Sequence, residues 1–246
     1  KLILLAKKNG ADAVKLQTYL PSTMTLNSKR KDFMMSSGIW KGKTLWQLYE
    51  KAHTPYNWHK ELFSFARKNK ITCFSSPFDE SAVKLLEKLN CPFYKVASLE
   101  ITDIPLIKAI AKTRKPIIIS TGTANLEEIE KAYNTAKKFG SSHIALLYCV
   151  TIYPAKTNDF NLNNIKILKE KFDCTIGFSD HSINPKIAGA AISAGAEIIE
   201  KHIALNDQKK GLDIKFSIRG KEIKEIKKII DENYKMYGKK YFYRNQ

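Results

Sequence analysis

Hydrophobic residues fall in short runs separated by longer amphipathic stretches. Seven runs, at 13–17, 71–76, 93–98, 116–120, 144–149, 174–179 and 197–202, are rich in β-branched or aromatic residues and end in polar residues, glycine or proline. That is the pattern of buried strands. Between them, 81–89 places Val83, Leu85, Leu86 and Leu89 at helical spacing, and 126–139 and 161–172 do the same. The small, apolar stretch 183–194 reads as a buried helix. Strand–helix alternation over the whole chain predicts parallel β/α units.

Residues 1–9 read as a helix ending at Gly10. A helix ahead of the first strand implies one further strand before it. The expected fold is therefore a (β/α)8 TIM-type barrel over residues 1–237, with its first strand absent from this chain. An open doubly wound sheet is the alternative, although no GxGxxG follows any strand, which weakens a dinucleotide reading. Residues 238–246 are basic and aromatic and read as a linker or the stump of a further domain. One long insertion, 18–56, breaks the rhythm and holds Pro21, Gly38, Trp40, Gly42, Trp46 and Tyr49. Long loops after barrel strands sit at the active-site face; a packed hairpin or short helical decoration is the plainer reading.

Composition narrows the class. Of 246 residues 43% are apolar, enough for a sizeable core, and no run approaches the roughly 18 apolar residues of a membrane span. Cys73, Cys91, Cys149 and Cys174 form no CxxC pair. They read as buried free thiols in a reducing, cytoplasmic compartment. The formal charge of +18 is spread over many lysines, with no base-stacking aromatic motif beside them. A solvated basic surface accounts for it most simply, a steering field for an anionic substrate comes next, and nucleic acid is a distant third.

In a barrel, polar residues at the carboxyl ends of strands converge on one mouth. Those ends hold Lys15 and Gln17, then Ser75 and Ser76, then Lys95, Ser98 and Glu100, then Ser120, Thr121 and Gly122, then Thr151 and Tyr153. The last two strands end in Ser179-Asp180-His181 and Glu200-Lys201-His202. A lysine in an apolar strand is costly without a partner. An anionic ligand would satisfy Lys15 and Lys95 together, and the hydroxyls and Gly122 would complete a phosphate cradle; paired structural ions are the alternative. His181 and His202 end neighbouring strands, so their imidazoles could hold a divalent metal with open positions. Glu200, two residues from His202, suits a general base or a water-holding group.

These residues lie in stretches that resemble the sialic acid synthase family, and within it the chain is most similar to the pseudaminic-acid-forming branch. The matching stretches are ADAVKLQTY at 11–19, FSSPFDESAV at 74–83, YKVASLEITDIPLI at 94–107, KPIIISTG at 115–122, GFSDH at 177–181 and IEKH at 199–202. The resemblance implies a (β/α)8 barrel followed by a small antifreeze-like domain, working as a homodimer. It implies condensation of phosphoenolpyruvate with an N-acetylated amino sugar. It places Lys15, Ser76, Lys95, Ser98, Ser120 and Ser179 at phosphoenolpyruvate, with Thr121 and Gly122 beside them. It makes His181 and His202 ligands of a divalent metal, usually manganese, and Glu200 the catalytic carboxylate. Gln17, Tyr153 and Asp213 fall near the sugar. Thr151 stands where members using N-acetylmannosamine tend to have Asn, and with the 18–56 insertion it leans toward a diamino, deoxy sugar. The family's GPD motif reads Gly211-Leu212-Asp213 here. Rival readings are another metal-dependent barrel aldolase or 3-deoxy sugar acid synthase, a basic nucleic-acid-binding module, and a folded but inactive barrel.

Overall fold

The computed structural model describes residues 1–36, 41–152 and 155–238. The chain begins with α1 (Leu2–Lys8), β1 (Ala13–Thr18), α2 (Pro21–Met24), α3 (Leu45–Ala52) and α4 (Tyr56–Lys68). It continues through β2 (Thr72–Pro77), α5 (Glu80–Lys88), β3 (Tyr94–Val96), α6 (Ile104–Ala111), β4 (Ile117–Ser120) and α7 (Leu126–Lys138). The last elements are β5 (Ile144–Cys149), α8 (Asn163–Lys171), β6 (Thr175–Asp180), α9 (Lys186–Ser193), β7 (Ile198–Lys201) and α10 (Gly220–Tyr237). All seven expected strands form, each within two residues or so of the expected bounds. Helix starts are marked by side-chain caps: Asp79 accepts from the amides of Ser81 and Ala82, and Asn125 and Glu128 make a reciprocal box.

The strands make one parallel sheet in sequential order, β1 to β7. Laid flat, such a sheet would hold its edge strands roughly 29 Å apart. Instead Lys15 on β1 lies 2.8 Å from Glu200 on β7. The sheet is therefore curled, barrel-like, with its two edges brought to face each other. Parallel strands are covered by helices on the outside. Outward residues such as Tyr94, Val96, Ile117, Ile119, Leu146, Ile176 and Phe178 pack there against Phe63, Leu86, Ile107, Ile110 and Ile165, all buried in one cluster.

Polar bonds tie this outer layer at defined points. His59 on α4 is buried; its Nδ1 donates to the Pro55 carbonyl at 3.1 Å, so its Nε2 accepts from the Thr18 hydroxyl at 2.8 Å. Thr18 in turn meets Ser75 at 2.6 Å. That chain docks α4 on β1 and β2. Cys73, Cys91 and Cys149 are buried free thiols as expected, whereas Cys174, just before β6, is only half-buried. No helix among the described residues is long and apolar enough to cross a membrane. The expected tail at 238–246 lies outside the described residues beyond Gly238.

Inside the curl, space is limiting. A Cβ on Gly177 would lie 2.5 Å from Leu147 Cδ2 and 2.7 Å from both Ile198 Cβ and the Ile198 carbonyl oxygen. Backbone on the neighbouring strand cannot step aside cheaply. Gly177→Ala is therefore expected to destabilise the fold by about 1–3 kcal/mol, read as a lower urea midpoint with an unchanged slope; an unaltered midpoint would contradict this packing.

Candidate active site at the carboxyl ends of the strands

Side chains alternate across a strand, and the inward row carries the chemistry: Lys15 on β1, Ser76 on β2, Lys95 on β3, Ser120 on β4, Cys149 on β5, Ser179 on β6 and Glu200 on β7. Glu200 is the hub. Its Oε1 accepts from Lys15 Nζ at 2.8 Å and from the Ser179 hydroxyl at 3.2 Å, and Lys95 Nζ lies 3.4 Å away. Lys95, 2% exposed, also donates to Ser120 Oγ at 2.6 Å. Ser76 donates to the Lys95 carbonyl at 3.0 Å, stitching β2 to β3.

This arrangement sets the charges. Burial would raise the Glu200 carboxyl, but Lys15 and Lys95 hold it well below the usual carboxylate range. Burial pushes the Lys95 ammonium down to about 8, against the pull of Glu200. The floor is thus two cations sharing one carboxylate, so an anion entering there meets net positive charge.

The loop after β4 is built by close approach. Gly122 N–H donates to Ser98 Oγ at 3.2 Å, and Thr151 donates to the Gly122 carbonyl at 3.3 Å. A Cβ on Gly122 would fall 2.7 Å from Thr151 Cγ2 and 2.9 Å from the Cys149 carbonyl oxygen. Thr121 donates to the Leu147 carbonyl at 3.2 Å. Thr121 and Gly122 therefore hold neighbouring strand ends to one another, whereas Ser120 and Ser179 reach the charged hub.

His181 and His202 come together, with ring centroids 5.3 Å apart, and Phe216 meets both rings edge-on at 5.8 and 5.1 Å. His181 Nδ1 lies 3.0 Å from the Val150 carbonyl, which can only accept, so the proton sits on Nδ1 and Nε2 is the basic nitrogen. His202 Nδ1 faces Asp213 Oδ2 at 3.1 Å, which fixes the same tautomer. Burial, then the neighbouring His202, push His181 down to about 4. Two imidazoles, each oriented through Nδ1 by an oxygen, are a donor set suited to a divalent metal. No cluster of three or more His, Cys, Asp or Glu side chains suited to a metal occurs among the described residues; water or substrate oxygens would have to complete the sphere.

Of the other expected residues, Gln17 is exposed at the end of β1, and Tyr153 lies outside the described residues. Asp213 orients His202 as well as bordering the mouth. Glu100 belongs to the site more fully than its place in the sequence implies: its Oε2 is buried with no hydrogen-bond partner, and burial pushes its carboxyl up to about 7. Its position just past Ser98 was the available signal. Phe216 gave none, because the loop between β7 and α10 has no periodicity to place it.

A family model described as the NeuB family matches residues 2–241. The chain belongs to the NeuB family. The pseudaminic acid synthase of Helicobacter pylori is 44% identical over 232 residues, which cover 94% of this chain and 68% of that protein. The N,N'-diacetyllegionaminic acid synthase of Campylobacter jejuni is 38% identical over 92% of this chain and 68% of that one. The crystal structure of the N-acetylneuraminic acid synthetase of Leptospira borgpetersenii superposes with a TM-score of 0.87 at 30% identity, over 99% of this chain and 80% of that one. This NeuB-family chain spans about two thirds of the length of the curated relatives it matches.

The lowered Lys95 gives a pH signature for anion binding. Its ammonium is charged below about 8 and neutral above, so affinity for a phosphorylated carboxylate should be full at pH 7 and fall as pH rises. Titration calorimetry with phosphoenolpyruvate is expected to show an about fivefold loss between pH 8 and pH 9. Lys95→Arg, whose guanidinium does not titrate there, should bind less well but with a flat profile. Constant wild-type affinity across that range would count against Lys95 as an anion ligand.

Proposed function

We propose that the protein condenses phosphoenolpyruvate with an N-acetylated diamino deoxy hexose, giving a nonulosonic acid of the pseudaminic type and releasing phosphate. One observation carries the reading: Lys15 and Lys95 converge on Glu200 among the inward hydroxyls, beside the paired His181 and His202. Two cations and several hydroxyls suit the phosphate and carboxylate of phosphoenolpyruvate. The names borne by the relatives of highest identity agree with it. Sialic or legionaminic acid synthesis is the second reading, favoured by the legionaminic relative at lower identity.

Carbon 3 of phosphoenolpyruvate is a weak nucleophile and needs an aligned aldehyde. In this reading Lys15, Lys95, Ser98, Ser120 and Ser179 bind and orient the anionic substrate, with Ser76 bracing the Lys95 strand. As the new carbon–carbon bond forms, positive character develops at carbon 2. Glu200, held ionised, stabilises that charge and orients the water that adds there; one proton of that water restores Glu100 after it has protonated the aldehyde oxygen, and the other leaves with phosphate as the carbon–oxygen bond breaks and carbon 2 becomes a carbonyl. Glu100, near half-protonated at neutral pH, is suited to deliver or accept the proton at the aldehyde oxygen. His181 and His202 would hold a divalent ion, manganese by resemblance, which when bound would supply Lewis acidity at the sugar oxygen. Gln17, Thr151, Tyr153 and Asp213 would line the acceptor side.

The same reading takes residues 1–237 as a catalytic barrel and 238–246 as a linker toward an antifreeze-like domain, in a cytoplasmic homodimer. The facing edges of β1 and β7, each with backbone groups outside the ladder, suit an eighth strand that closes the barrel.

Mass spectrometry of the product from phosphoenolpyruvate and diacetamido deoxy hexoses, using the full-length protein, tests the assignment. A nonulosonic acid with stoichiometric phosphate is expected; an aldol product without phosphate would overturn it. His202→Ala is expected to remove metal-dependent turnover, and full activity retained after chelation would refute the metal role.

A further inference from the structure

Among the described residues of the 18–56 insertion, helix α3 meets the end of β1 through an aromatic contact. Helix α3 starts at a reciprocal cap, Thr44 with Gln47, at 3.1 Å in both directions. Tyr49 on this helix meets Tyr19 edge-on, with ring centroids 5.8 Å apart at 82°. Tyr19, 4% exposed, continues the alternation of Lys15 and Gln17 beyond β1. It also packs edge-on against Phe78, 5.3 Å away, which continues the alternation of Ser76 beyond β2. Along these two strands the inward row therefore changes from charged and hydroxylated at Lys15 and Ser76 to aromatic at Tyr19 and Phe78. On β1 the change spans roughly 13 Å, four residues of strand rise, and on β2 about half that.

The polar groups near this aromatic step point to a ligand. Tyr49 lies within electrostatic reach of Glu100, and Tyr19 within reach of Asp213. Glu100 Oε2 is buried and has no hydrogen-bond partner. A buried acceptor left without a donor is costly, and a sugar hydroxyl or amide N–H would satisfy it. Tyr19, Tyr49 and Phe78 thus form an aromatic cluster beyond the charged row, with Glu100 and Asp213 within electrostatic reach of its tyrosines.

We propose that helix α3 forms the upper wall of the acceptor pocket, and that Tyr49 selects sugars that present an apolar edge, a deoxy carbon or an acetamido methyl. This rests on the synthase reading above. An aromatic face favours a methyl over a hydroxymethyl, but an apolar pocket rejects an added hydroxyl only modestly, by about a hundredfold at most. The selectivity assigned to Tyr49 is accordingly of that order or smaller.

The test compares kcat/KM for a 6-deoxy diacetamido hexose and its 6-hydroxylated counterpart in the full-length protein. Tyr49→Gln keeps helix propensity while removing the ring. It is expected to lower the deoxy-to-hydroxy ratio about tenfold, with the KM for phosphoenolpyruvate within about twofold of wild type. Tyr49→Phe, which keeps the ring, should keep the ratio. Thermal melts accompany each variant, and if Tyr49→Gln melts early, Tyr49→Leu is read in the same assay with a smaller fall expected. An unchanged ratio in a folded ring-less variant would overturn the proposal, as would an equal rise in KM for both substrates. Wild-type protein that releases no phosphate with either sugar would instead sink the synthase reading, and this inference with it.

Discussion

A single carboxylate sits between two ammonium groups that the fold would otherwise force together. Glu200 on β7 accepts from Lys15 on β1 and lies 3.4 Å from Lys95 on β3. Without it, two cations would share the interior of a curled sheet, and an unpaired buried charge costs several kcal/mol. The ion triad therefore does two things at once. It links the two edges of the sheet, and it keeps a pair of cations available for an anion that can compete for them. The hydroxyls of Ser120 and Ser179 lock the triad's geometry from the strands between.

Outside the curl a second ion pair mirrors the first. Asp180, fully buried, and Lys201, its side chain 6% exposed, face each other across β6 and β7 at 2.9 Å, and their Cα atoms are register partners. Lys201 also donates to the Ser182 carbonyl, and Asp180 accepts from the Ser182 amide at 2.7 Å. A one-residue slip of β7 would turn Glu200 outward and Lys201 inward. The outward pair thus resists the slip that would dismantle the inward one, and it fixes the turns carrying His181 and His202. Chemistry on one face is secured by electrostatics on the other.

The strand ends were legible because period-two alternation is a strong local signal. Lys15, Ser76, Lys95, Ser120, Ser179 and Glu200 stand out as polar residues in apolar runs, and a lone burial argument brings them to one side. The same reasoning paired His181 with His202, since they end consecutive strands. It could not show that Thr121 and the Gly122 amide are engaged with Leu147 and Ser98, because which strand-end group meets a neighbour depends on sheet shear. Nor could it show that Asp213 orients His202 or that Phe216 wedges against both imidazoles, since loops carry no period.

By itself, then, the chain's pattern determined the seven strands, their alternation with helices and the inventory of charged and hydroxylated groups, because those follow from spacing along the backbone; the family was legible only through the resemblance of whole motifs. Only the tertiary structure decided the partners: that Glu200 pairs with both lysines, that Glu100 Oε2 is buried without a hydrogen-bond partner, and that Tyr49 packs on Tyr19. These depend on the curl of the sheet and the path of irregular segments, which bring residues as far as 185 positions apart in sequence, as Lys15 and Glu200 are, to within hydrogen-bonding distance at the site, and no local periodicity encodes such long-range contacts.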